Sequence, residues 1–189
     1  MTTFADLLGP STSRPWTTLV LGGARSGKSR LAEALTRDHA TAAGVVPVYL
    51  ATAEPFDDEM RERIAQHQMD RGRDWQTLEA PRNLPAVLDG CGDAPALIDC
   101  LTLWLSNLML ADMDEAPELE ALMAVLEERT APTVLVSNEV GMGLVPETPL
   151  GRRFRDWQGR VNQAVAARAD CAVFVAAGLP MVLKRPGAN

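Results

Sequence analysis

Thr17-Thr-Leu-Val-Leu21 is an apolar, β-type run that breaks into Gly22-Gly23-Ala24-Arg25-Ser26-Gly27-Lys28-Ser29, and Ser29 opens a stretch of helical periodicity reaching Ala40. The eight residues from Gly22 fit the spacing G-x-x-x-x-G-K-[ST]. Glycines let the backbone curl so that successive N–H groups point inward at phosphate oxygens, at the positive end of the helix that follows. The lysine then reaches the β- and γ-phosphates, and the final hydroxyl is placed to hold Mg²⁺. A chance match to this string arises in roughly one chain of this length per hundred at average residue frequencies. Here lysine is scarce: of 18 basic residues only Lys28 and Lys184 are lysines. A compact ammonium and a guanidinium fork are not equivalent at such a position. One of two lysines standing where the motif needs one puts nucleotide binding well ahead of coincidence.

Outward from this turn, short apolar runs alternate with helical patterns. Strands are expected at Val45–Ala51, Trp75–Glu79, Ala96–Cys100, Thr133–Ser137 and Cys171–Ala177. Helices are expected at Asp57–Asp70, from Leu101 through Trp104, Leu105, Leu108 and Met109, and at Gly151–Ala169. Such alternation predicts an α/β fold with a mostly parallel sheet and helices on both faces. Gly9, Pro10, Ser11 and Pro15 mark residues 1–16 as a flexible leader, with residues 17–189 forming one domain.

The chain has 189 residues, 47% apolar and 23% charged, which excludes wholesale disorder. Its 25 acids against 18 bases give a net charge of −7 and argue against a protein that coats nucleic acid. Seven of those acids lie between Asp112 and Glu128 with no base among them, which reads as a loop and a solvated helix face, so the total says little about a local phosphate site. Cys91, Cys100 and Cys171 form no paired framework, as expected in a reducing cytoplasm. The greasiest stretch, Leu97 to Ala111, is too short to span a bilayer and is interrupted by Asp99, so no membrane span is expected.

A phosphate loop calls for an acid at the end of a buried strand. Asp99, closing Ala-Leu-Ile-Asp, is the first candidate, with a helix-capping role as its alternative; Glu139 is the second. On the 57–70 helix, Met60, Ile64, His67 and Arg71 share one face. Arg63 and Arg71 lie four residues to either side of His67. Nearby positive charge holds an imidazole neutral, the form that attacks phosphorus. His67 is equally a histidine at the edge of an apolar stripe, and the residues alone favour that plainer reading. His39 reads as a cation near the end of the first helix.

Several segments taken together resemble one family. They are Gly22-Gly-Ala-Arg-Ser-Gly-Lys-Ser-Arg30, Tyr49-Leu-Ala-Thr52, Asp57-Asp-Glu-Met-x-x-Arg-Ile64, His67, Trp75-x-Thr-x-Glu79, Ser137-Asn-Glu-Val-Gly-Met-Gly-Leu-Val-Pro-Glu147 and Gly159-Arg-Val-Asn-Gln163. From about Thr17 to Leu183 the chain is similar to the bifunctional adenosylcobinamide kinase / adenosylcobinamide-phosphate guanylyltransferase of cobalamin synthesis. The resemblance implies a RecA-like P-loop fold, a homotrimer, and two reactions. ATP or GTP would phosphorylate adenosylcobinamide, and GMP from GTP would then pass to that phosphate through a guanylated histidine. It places His67 at that histidine, reversing the plainer reading. It also places Gly22 to Ser29, Ala51, Thr52, Ala53, Gln68, Met69, Asp70, Arg71, Glu79 and Asp99 around the nucleotide, with Ser29 and Asp99 toward Mg²⁺. Two further readings stand beside it: a small-molecule P-loop kinase with no covalent nucleotide adduct, and a non-catalytic NTP-dependent regulatory module.

Overall fold

The computed structural model describes residues 2–9, 16–54 and 74–187. In chain order these form α1 (Phe4–Leu8), β1 (Thr17–Gly22), α2 (Lys28–Ala43), β2 (Val48–Ala51), β3 (Gln76–Glu79), α3 (Leu84–Asp89), β4 (Ala96–Asp99), α4 (Leu101–Leu110), α5 (Glu115–Glu128), β5 (Thr133–Asn138), α6 (Pro149–Arg168), β6 (Cys171–Ala176) and β7 (Leu179–Lys184). One seven-stranded sheet runs in the order β3-β2-β4-β5-β1-β6-β7. Every neighbouring pair is parallel except β6–β7. The expected helix over 57–70, with His67, lies outside the described residues.

Both faces of the sheet are covered, and side-chain alternation sorts the core into two clusters. Leu19, Leu21, Leu50, Ile98 and Leu135 point toward α3, α4, α5 and α6, where Trp104, Leu105, Leu108, Leu122, Val161 and Val165 meet them. Val20, Tyr49, Leu97, Val134, Val136 and Val173 point the other way, onto Leu31, Ala32 and Leu35 of α2 and Phe4 and Leu8 of α1. Strands such as β1, buried along its whole length, therefore read as continuous apolar runs rather than alternating ones. No helix among the described residues is long and apolar enough to cross a membrane.

The structure departs from the sequence reading at several places, beginning with α3, a helix the sequence reading did not expect. Over Thr3–Gly9 the expected flexible leader is a helix with a reciprocal capping box between Thr3 and Asp6. Phe4 is 2% exposed and stacks 4.7 Å from His39, so two apolar side chains and a cap outweigh the turn-forming residues behind them. His39 is buried and not terminal, since α2 continues to Ala43 before Gly44 closes it in the left-handed region. Glu115, counted with the solvated acids, is buried and paired with Arg153 at 2.8 Å. The last strand returns through Ala177–Gly178 as an antiparallel edge, β7, whose Pro180 hid it from a strand reading.

Candidate active site

Parallel strands present their C-terminal ends along one edge of the sheet, and ligand crevices form where connections leave that edge in different directions. Here β1 exits into the glycine loop, β5 lies beside it, then β4, β2 and β3. Gly22 is in register with Asn138, Asp99 with Val136 and with Ala51, and Ala51 with Glu79. The sheet thus places Gly22, Asp99, Ala51 and Glu79, all singled out in the sequence, on one edge.

The loop itself is tightly bounded. A Cβ on Gly22 would stand 2.5 Å from both the Val175 carbonyl and the Ser26 hydroxyl, so only glycine fits. Gly27 holds φ at +96°, which turns the chain into α2. Among the described residues no side chain caps the start of α2, leaving its first N–H groups facing the loop. Lys28 folds its Nζ onto the Gly23 carbonyl at 3.1 Å. From behind, the β6–β7 turn braces the loop: the Gly178 amide donates to the Ser26 carbonyl at 2.8 Å. The Ser26 hydroxyl is buried with no hydrogen-bond partner among the described residues. Ser29, Ala24 and Arg25 complete the loop, Ala24 and Arg25 exposed and Ser29 half-buried.

Asp99 is half-buried and accepts a hydrogen bond from the Tyr49 hydroxyl at 2.8 Å. Leu97 packs on the α2 side of the sheet, and two residues on Asp99 shares that side with the helix opened by Lys28 and Ser29. It does not cap α4, whose N-cap is Cys100. The Cys100 thiol is pushed up to about 11, first by burial and then by the Asp99 charge. Thr52 is fully buried and exchanges hydrogen bonds with Cys100, accepting from its amide at 2.7 Å and donating to its carbonyl at 2.8 Å. The Thr52 carbonyl accepts from Asn107 of α4 at 2.7 Å, and the same amide nitrogen reaches the Pro81 carbonyl at 2.9 Å. Thr52 and Asn107 therefore tie the exits of β2, β3 and β4 together, while Ala51 and Ala53 are half-buried and Glu79 is exposed at the rim. Gln68, Met69, Asp70 and Arg71, like His67, lie outside the described residues.

On the other flank, the Glu139 amide donates to the Gly22 carbonyl at 3.2 Å, and its carboxylate accepts from Gly141 at 2.6 Å. Sequence reasoning gave no role to Asn107 or Gln158, and none of their own to Tyr49 and Asn162, which it quoted only within the segments that carry the resemblance. The signal for Gln158 and Asn162 was present, because polar residues four apart interrupt the buried stripe of Val161 and Val165 on α6. Lys184, the second lysine, caps the carbonyls of Ala166 and Ala167 at the end of α6.

A parallel sheet carrying a glycine-rich phosphate loop, with an acid on the strand one removed, defines a P-loop nucleotide-binding protein of RecA-like architecture. In agreement, the flagellar accessory protein FlaH of Methanocaldococcus jannaschii superposes with a TM-score of 0.54 at 12% identity, covering 97% of this chain and 84% of that one. Residues 18–183 match the family described as cobinamide kinase / cobinamide phosphate guanyltransferase, and the chain belongs to that family. It is 48% identical over 170 residues to the bifunctional adenosylcobalamin biosynthesis protein CobP of Pseudomonas aeruginosa, spanning 88% of this chain and 96% of the relative. It is 41% identical over 183 residues to the corresponding CobU of Salmonella typhimurium and 39% identical to that of Escherichia coli, each spanning 88% of this chain and 98% of the relative.

Proposed function

We propose that the chain carries out both reactions of its family at the loop edge of the sheet. In the first, the hydroxyl oxygen of adenosylcobinamide attacks the γ-phosphorus of ATP or GTP. The bond to the bridging oxygen breaks, and the nucleoside diphosphate leaves. In the second, a His67 ring nitrogen attacks the α-phosphorus of GTP and pyrophosphate departs. An oxygen of adenosylcobinamide phosphate then attacks the same phosphorus and frees the histidine, dividing one transfer into two in-line displacements. The observation that carries this reading is Gly22–Lys28 and Asp99 on one sheet edge, in a chain that matches the family over residues 18–183. Loop amides and Lys28 would stabilise the charge on the phosphates.

Ser29 and Asp99 offer a hydroxyl and a carboxylate, hard oxygen donors of the kind Mg²⁺ takes alongside water and phosphate oxygens. Bound there, Mg²⁺ would neutralise phosphate charge. Gln68, Met69, Asp70, Arg71 and Glu79 are assigned to the nucleotide as well. The working form is proposed to be a cytoplasmic homotrimer.

The test is incubation with α-labelled GTP. Acid-labile, base-stable label on the protein, absent in His67→Ala, supports the two-step transfer. Turnover of adenosylcobinamide without any protein-bound label would leave only the small-molecule kinase reading. Nucleotide-dependent partner binding with no turnover would favour the regulatory module.

A further inference from the structure

Beneath the tip of β5 lies a buried cluster of polar side chains. Gln158 and Ser137 are 0% exposed and Asn162 is 7% exposed. The Ser137 hydroxyl donates to Asn162 Oδ1 at 2.6 Å, and Gln158 Nε2 donates to Ser137 Oγ at 2.9 Å and to Asn162 Oδ1 at 3.0 Å. Asn162 Nδ2 then donates to the Asn138 carbonyl at 3.1 Å, while the Asn138 amide donates to Thr102 Oγ1 of α4 at 2.8 Å. Both polar groups of the Asn138 main chain are thereby held, one from each of two helices. The next residue, Glu139, is the one whose amide docks on Gly22.

We propose that Asn162 and Gln158 are positioning residues for phosphate transfer, holding the β5 tip so that Glu139 and the Gly22 end of the loop keep one fixed spacing. Two observations favour this over a packing role. Gln158 Oε1 is buried with no partner among the described residues, so the cluster is not satisfied on its own terms and yields less stability than a fully paired network would. Its outlet is also directional: among the described residues the bonds converge on the β5 tip, at Ser137 directly and at Asn138 through Asn162, on the strand that separates the loop strand β1 from the Asp99 strand β4. A displacement there is transmitted to both sides of the phosphate site.

The inference rests on the kinase reading above, so its test carries two readouts. Asn162→Leu and Gln158→Met keep volume while removing the network. The expected result is a folded protein whose melting temperature is lowered, because the Asn138 carbonyl and the Ser137 hydroxyl lose partners, and whose kcat for adenosylcobinamide phosphorylation, measured where the variants are fully folded, is lower by the order of 10- to 100-fold. KM for the nucleotide should move by less than about threefold, as when an interaction specific to the transition state is lost. Amide hydrogen exchange should quicken in peptides covering 22–29 and 137–145 and stay unchanged in β6. Folded variants with parental kcat and parental exchange overturn the inference, as does a kcat loss that merely tracks the unfolded fraction. If the parent protein transfers no phosphate, the functional reading falls, and the exchange pattern alone decides this one.

Discussion

The Tyr49 hydroxyl reaches across from β2 to β4 and donates to the Asp99 carboxylate at 2.8 Å. One oxygen of the carboxylate is thus fixed by a ring that is itself packed edge-on against Trp75, with centroids 5.7 Å apart. An aromatic anchored in the core makes a stiff donor, so the free rotation of a short acid is removed before any ligand arrives.

Tyr49→Phe tests the value of that restraint. Loss of one hydrogen bond to a charged, half-buried group should cost about 1.5–3 kcal/mol of stability and lower the melting temperature by several degrees. Phosphate transfer should fall, but less than in Asp99→Asn, which removes the charge itself. A Tyr49→Phe protein less active than Asp99→Asn would show that the hydroxyl acts by a route other than Asp99.

The two glycines that open the loop should separate cleanly. Gly22→Ala forces a methyl to within 2.5 Å of the Val175 carbonyl, a main-chain atom that cannot swing away, whereas a Cβ on Gly23 meets nothing within 4 Å. Overpacking of this kind costs about 1–3 kcal/mol or more. Gly22→Ala is expected to melt earlier and bind nucleotide poorly, and Gly23→Ala to melt like the parent. Equal thermal stability of the two, measured by circular dichroism, would contradict the contact geometry.

Much of this architecture was legible because its strongest determinants are local. Thr17–Ser29 carries its strand, turn and helix start in adjacent residues, and Ala-Leu-Ile-Asp99 reads as a buried strand ending in an acid. What escaped depends on contacts distant in sequence. Phe4 is secured by α2, some 35 residues away, and Asn162 matters through Asn138, 24 residues before it. No periodicity encodes such pairings; only the order of strands in the sheet brings them together. Tyr49 looked like one more apolar strand residue, because its ring is core while its hydroxyl belongs to the site.

The amino-terminal helix makes its own prediction. Phe4 and Leu8 fill a gap over Leu35 and His39, so Phe4→Ala should destabilise the protein by about 3 kcal/mol, and Thr3→Ala, which loses the cap, by about 1 kcal/mol. Phe4 packs into the core cluster on the α2 side of the sheet and Thr3 caps its own helix, so kcat and KM at a temperature where both variants are folded should stay at parental values. Parental melting temperatures in both variants would mean that the helix contributes nothing to the fold it covers.

Alkaline pH supplies a last test. Burial raises the thiols of Cys100 and Cys171 from 9.0 to about 11, with Asp99 and Asp170 as smaller contributors in the same direction. Between those values the folded chain keeps protons that the unfolded chain has released, so stability falls as pH rises. Their contribution is fully present below pH 9 and is lost on the way to pH 11. The melting temperature should therefore decline across that interval, and less steeply in the Cys100→Ala/Cys171→Ala double variant, whose baseline is lowered by the two small cavities. Below pH 8 both proteins should show flat profiles with respect to these groups, and a thiol reagent at neutral pH should label Cys91, which is half-buried, ahead of the other two. A double variant that declines in parallel with the parent above pH 9 would assign the alkaline loss to groups other than these thiols.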